Sequence, residues 1–179
     1  GLGDVYKRQF YTGMYHLLIH PNILQDVNGE YPMMESLKVG HTTGNRYTVF
    51  SLWDTYRNVS TLMTLLYPER QLDIIRTMLD MYRENGWLPK WELYGRETFT
   101  MEGDPSIPYI VDAWMRGLRD FDEQTAYEAM RKGATTPGEF NLLRPDANDY
   151  FSKGYVPLRE QYDNSVSCLL YTSPSPRDS

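Results

Sequence analysis

"LWDTYRNVSTLMTLLYPERQLDIIRTMLDMYRENG", residues 52–86, is the stretch whose reading decides the fold. Leu52, Tyr56, Val59, Leu62, Met63 and Leu66 recur at helical spacing, and after Pro68 so do Leu72, Ile75, Met78, Leu79 and Tyr82. Stripes of this kind arise when one face of a helix is dry and the other wet. Pro68 suits a first helical turn because it has no N–H to leave unpaired. Glu69 complements the helix dipole, and Gly86 supplies the left-handed residue that closes a helix. The spacing therefore predicts two helices joined by a tight turn, an antiparallel hairpin.

Outward from this hairpin the pattern returns. Ile107, Ile110, Val111, Trp114, Met115 and Leu118 form the cleanest stripe in the chain. Asp122 is placed to cap a shorter helix that carries Ala126, Ala129 and Met130 and is ended by Gly133. Upstream, Tyr11, Tyr15, Leu18 and Ile19 predict the inner face of a helix that stops before Pro21, because proline disfavours helical backbone in the residue ahead of it. Between these elements lie polar stretches, 25–46 and 87–105, far longer than the usual connection of about 4–6 residues. Loops of that length on a helical scaffold tend to carry function. The fold class is all-α, with hairpins arranged as a bundle, a solenoid or a toroid around an axis. No repeat of fixed period supports the solenoid, and so few hairpins do not close a ring, so a toroid would be partial.

Composition excludes some partners. The chain of 179 residues has 41% hydrophobic and 23% charged residues with a formal charge of −6, which argues against a nucleic-acid or anionic membrane surface. No run approaches the roughly 20 apolar residues of a membrane span, and no signal peptide opens the chain. A lone cysteine, Cys168, excludes an internal disulfide. Aromatics make up 14%, including 15 Tyr and 4 Trp, and flat rings with polar tips serve sugar faces as well as protein cores. The ends, "GLGDVYKRQ" (1–9) and "CLLYTSPSPRDS" (168–179), continue no apolar period. They read as sequencing-adapter read-through or as tails, which leaves 10–167 as the informative segment.

Two constellations carry possible chemistry. Trp53 and Asp54 head the second predicted helix with Arg57 three residues after the acid, so acid and base share a face. That spacing serves an ordinary ion pair at a helix start, or an acid at a pocket lip accepting sugar hydroxyls with a ring beside it. "GWLPKWELYGRET", 86–98, places Trp87, Lys90, Trp91, Glu92, Arg96 and Glu97 in one loop. Its tryptophans either plug the end of the scaffold or cover a ligand. His16, His20 and His41 have no metal-ligand spacing with carboxylates, and the chain has no phosphate loop, nucleophile elbow or reactive-cysteine context.

At these residues a resemblance becomes specific. "FYTGMYHLLIHPNILQDVNGEY" (10–31), "YTVFSLWDTYRNVSTLMTLLYPER" (47–70), "NGWLPKWELYGRET" (85–98) and "KGYVPLREQYDNSVS" (153–167) resemble glycoside hydrolase family 92 in order and approximate spacing, over nearly all of 10–167. The resemblance implies a bacterial, calcium-dependent, exo-acting α-mannosidase that inverts the anomeric carbon of terminal mannosides in N-glycans or yeast mannan. It implies a periplasmic, cell-surface or secreted protein in which an N-terminal β-sandwich joins an (α/α)6 toroid. This chain would be the N-terminal half of that toroid, without its sandwich or its C-terminal half. Trp53 and Asp54 then map onto the pocket for the terminal mannose, with Arg57 orienting Asp54 and keeping it ionised. Lys90, Trp91 and Glu97 fall on the rim of the same pocket. The general acid, the base and most calcium ligands are expected beyond this chain, so the segment alone is expected to be inactive and not to bind calcium in the family manner. A non-catalytic helical interaction module, or another (α/α)6 carbohydrate enzyme such as a glucosidase or trehalase relative, are the alternatives.

Overall fold

A computed structural model of the chain describes residues 1–101 and 103–157. The last resemblance block from residue 158 onward, and Cys168, lie outside the described residues. In chain order the elements are α1 (Leu2–Leu17), β1 (Asn22–Ile23), β2 (Glu30–Pro32), β3 (Val39–His41), β4 (Tyr47–Thr48), α2 (Leu52–Thr55), α3 (Val59–Leu66) and α4 (Pro68–Asn85). They continue with β5 (Glu92–Leu93), β6 (Arg96–Glu97), α5 (Ser106–Met115), α6 (Glu123–Thr135), a 3-10 turn (Gly138–Phe140) and α7 (Ala147–Lys153).

The two predicted hairpins form. Pro68 opens α4, and Gly86 closes it in the left-handed conformation at φ 85°. Asp122 caps α6 by accepting a hydrogen bond from the Thr125 amide at 3.0 Å. Helix α3 packs on α4 and on α5, while α4 also packs on α6. The helices thus make two layers, a charge-poor one of α3 and α5 and an amphipathic one of α4 and α6, the arrangement of an arc of an (α/α)6 toroid. Between the layers lie Met63, Ile74, Ile75, Met78, Leu79, Met81, Ile110 and Ala113, all buried. A polar thread crosses this core. Tyr109 on α5 donates to Gln71 on α4 at 2.9 Å, and Gln71 donates to Ser60 on α3 at 2.9 Å, so the buried groups are paired across three helices.

Three sequence expectations change. The stripe from Leu52 to Leu66 is broken into α2 and α3 by a turn at 56–58, where Asn58 leaves the helical region at φ −125°. Gly133 does not end α6, which runs on to Thr135. It lies where a Cβ would stand 2.8 Å from Asp104 Oδ2, so glycine is needed for close approach. The face of α1 expected to point inward is exposed, with Tyr11 at 70% and Tyr15 at 68%, because nothing among the described residues packs across it. The long polar stretches also hold structure of their own: β1 pairs with β4, β2 with β3, and β5 with β6, each antiparallel.

Candidate functional site

All the long loops gather at one end of the hairpins. The start of α5 meets the end of α4 there, since Ser106 Oγ donates to the Pro89 carbonyl. The end of α6 joins them, because Lys132 Nζ donates to the Gly86 carbonyl at 2.7 Å. The lead into α2 lies alongside, with the Phe50 amide donating to the Glu92 carbonyl at 3.0 Å. The backbone just ahead of Trp53 and Asp54 is thus tied to the loop that carries Lys90, Trp91 and Glu97.

Asp54 is exposed in the first turn of α2. Ser51 Oγ donates to its Oδ2, and among the described residues Oδ1 is uncommitted. Arg57 does not orient this carboxylate, as the uninterrupted helix had implied. The turn at 56–58 swings its guanidinium 4.8 Å over the Trp53 ring and 4.9 Å over the Tyr56 ring, and Nη1 donates to the Trp53 carbonyl at 3.3 Å. Arg57 thus braces the indole while Ser51 holds the acid. Trp53, Asp54 and Arg57 line none of five clefts found among the described residues.

The 87–99 loop is held from inside. Glu97 accepts backbone N–H bonds from Lys90 at 2.7 Å, Trp91 at 2.8 Å and Phe99 at 2.9 Å, so its carboxylate is occupied by the loop's own amides. Trp91 is half-buried, and its carbonyl accepts from the Thr98 hydroxyl at 2.8 Å. Lys90 is buried, a placement that charge permits only when it is compensated.

A buried acid within the electrostatic reach of Lys90 was missed by sequence reading. Asp104 is 1% exposed, and Arg144 Nε stands 3.5 Å from its Oδ2. Burial pushes its carboxyl above the ordinary value, against the pull of Arg144 and Lys90. Two stretches meet at this cluster, the one between α4 and α5, which carries Lys90 and Asp104, and the one following α6, which carries Arg144. Two more acids with inward-facing partners, Glu92 buried and Glu84 partly buried, were also missed. Glu92 accepts from Thr48 Oγ1 at 2.9 Å, the Val49 amide at 3.1 Å and the Gly95 amide at 2.5 Å. Burial raises its pKa although those donors oppose the shift. Glu84 accepts from Arg46 Nη2 at 2.8 Å, Tyr31 Oη at 2.9 Å and the Met34 amide at 2.7 Å. Burial and Glu84 together push the Tyr31 phenol up to about 12. Nothing in the sequence marks these acids, since an acid in a polar loop, or on the polar face of a helix as Glu84 is on α4, reads the same whether it faces water or a neighbouring loop. Among the described residues no three His, Cys, Asp or Glu side chains converge as metal ligands.

Known proteins share this arrangement. The sequence pattern of the glycosyl hydrolase family 92 catalytic domain matches residues 3–173. A family GH92 alpha-mannosidase from Bacteroides thetaiotaomicron, solved in complex with mannoimidazole, is 36% identical with a TM-score of 0.74, over 83% of this chain and 19% of its own. A family GH92 inverting mannosidase from the same organism is 32% identical with a TM-score of 0.75, over 86% of this chain and 21% of its own. An uncharacterized secreted glycosidase of Arthroderma benhamiae is 26% identical over 166 residues, 91% of this chain and 17% of that protein. The chain therefore spans about a fifth of the length of these relatives.

Proposed function

The chain belongs to glycosyl hydrolase family 92, and from that premise we propose that it is the part of an exo-acting, inverting α-mannosidase that holds the terminal mannose. The observation that carries the reading is Asp54 itself, an exposed acid heading the charge-poor helix layer, fixed at one oxygen by Ser51 and open at the other. A carboxylate in that state accepts hydrogen bonds from sugar hydroxyls. Trp53, stacked under Arg57, forms the wall beside it. Trp91, half-buried on the loop that Glu97 ties together, is the rim residue of this reading, whereas the buried Lys90 is kept from direct contact with the sugar.

The chemistry of inversion asks for a second set of groups. One carboxylic acid protonates the leaving oxygen while another carboxylate activates water, roughly 6.5–9.5 Å apart. We assign both, together with the calcium ligands, to the remainder of the catalytic domain. The residues here bind and orient, so this segment alone is inactive. Terminal α-mannosides of N-glycans or mannan are the substrate class, and a secreted or cell-envelope location accords with the secreted relative. Among the described residues no helix is long and apolar enough to cross a membrane.

Asp54→Ala in the full-length enzyme tests the assignment. Loss of two charge-assisted hydrogen bonds, about 1.5–3 kcal/mol each, is expected to lower kcat/KM on an aryl α-mannoside by at least about 100-fold. Ser51→Ala, which only frees the carboxylate, is expected to have a smaller effect. Activity of the Asp54 variant within a few-fold of the parent would remove the residue from the site.

A further inference from the structure

A cleft opens on the same end of the hairpins, away from Asp54. It holds about 390 Å³, at the small end of the roughly 300–1,000 Å³ typical of ligand pockets. Leu88, buried, belongs to its lining, with Trp87 and Phe99 as aromatic walls and Leu142 of the segment after α6 closing one side. Phe99 is 40% exposed and held in the left-handed region at φ 54°, a backbone state that a bulky residue keeps only when its surroundings enforce it. Here the Glu97 carboxylate enforces it by accepting the Phe99 amide. Trp87 is fixed from one side by Lys132, whose Nζ sits 4.5 Å over its ring.

The polar members of the lining retain unused capacity. Asn85 accepts the Trp87 amide on Oδ1 at 2.8 Å, which leaves its NH₂ as a donor uncommitted among the described residues. Glu35 accepts the Glu97 amide on Oε1 at 2.7 Å, which leaves Oε2 as an acceptor. Two ring faces, a donor and a negatively charged acceptor suit a ligand with an apolar face and vicinal hydroxyls, and disfavour an anion. From this we infer that the cleft is an accessory subsite for one neutral hexose residue of an extended or branched glycan. Asn85 ends α4 and Lys132 lies on α6, so the cleft stands over the amphipathic helix layer, whereas Trp53 and Asp54 head the charge-poor one. A glycan whose terminal residue sits at Asp54 would place another residue or branch here. This deepens the α-mannosidase reading and rests on it for the identity of the hexose as mannose.

The test compares substrates that reach the cleft with one that does not. Phe99→Ala and Asn85→Asp are made in the full-length enzyme and assayed on para-nitrophenyl α-mannoside, which fills the terminal site alone, and on a branched high-mannose glycan. The expected result is a KM for the glycan raised about tenfold, the effect of losing one stacking or hydrogen-bonding partner, with kcat/KM on the aryl mannoside and the melting temperature unchanged. An unchanged KM for the glycan, an equal loss on both substrates, or a large drop in melting temperature that marks the cleft as the seat of another domain would each overturn the subsite. If the parent cleaves neither substrate, the α-mannosidase reading fails by itself. Saturation-transfer NMR with α-mannotriose on parent and Phe99→Ala then decides the cleft separately, signal in the parent lost in the variant supporting it and no difference refuting it.

Discussion

Gly133 shows how much a single missing methyl group can carry. In the interior of a helix alanine is ordinarily favoured over glycine by about 1 kcal/mol. At this position the added carbon would press on the Asp104 carboxylate, which is itself buried with Arg144 Nε 3.5 Å away. Gly133→Ala is therefore expected to destabilise the protein, by roughly 1–3 kcal/mol, the usual effect of overpacking. Asp104→Ala is expected to be destabilising alone, because it strands Arg144, yet to cost less when Gly133 is already alanine. Urea denaturation of the two single variants and the double variant measures that coupling, and strict additivity would mean that the contact has no energetic content. The capping roles of Asp122 and Gly86 were legible in the sequence because a cap acts on its own helix. Gly133 was read as a helix terminator because its true neighbour lies in another loop.

Among the elements, the 87–99 loop departs most from what its composition suggested. Its tryptophans read as a plug or a ligand cover and Lys90 as a rim residue, whereas Glu97 gathers the backbone of Lys90 and Trp91 and Glu92 fastens the loop to Thr48 and Val49. Glu97→Ala is expected to speed amide exchange at Lys90, Trp91 and Phe99 by about tenfold or more, since each loses its acceptor, while α4 keeps the parent rates. Unaltered exchange at those three amides would show that the loop holds its shape without the carboxylate. The break between α2 and α3 is a second departure. Apolar periodicity runs through 52–66 without a fault, so the turn at 56–58 left no hydrophobic signature, and only the turn explains why Arg57 lies on Trp53 instead of beside Asp54.

For the molecule as a whole, buried acids set the response to pH. Burial raises both Glu92 and Asp104. A carboxyl whose folded value lies above its unfolded value near 4 stabilises the fold fully below that unfolded value, and the contribution is lost as pH rises through the folded value. Glu92→Gln removes this loss for one of the two. The parent's stability relative to the variant is accordingly expected to be greatest near pH 4 and to shrink as pH rises to about 7, as followed by denaturant unfolding. A gap that widens with pH would mean that the donors from Thr48, Val49 and Gly95 outweigh burial and that Glu92 is lowered after all.

The sequence by itself determined the hairpins, the helix ends at Pro68, Gly86 and Asp122 and the family, because helical periodicity, proline and glycine act over a few residues and the family blocks are read in series. Tertiary structure alone decided which acids are dry, which glycine admits a neighbour, where Arg57 points, and that residues from separate loops enclose a cleft. Those features depend on groups far apart in the chain that meet only after the layers pack, and a charged residue carries no mark of the neighbour it will meet.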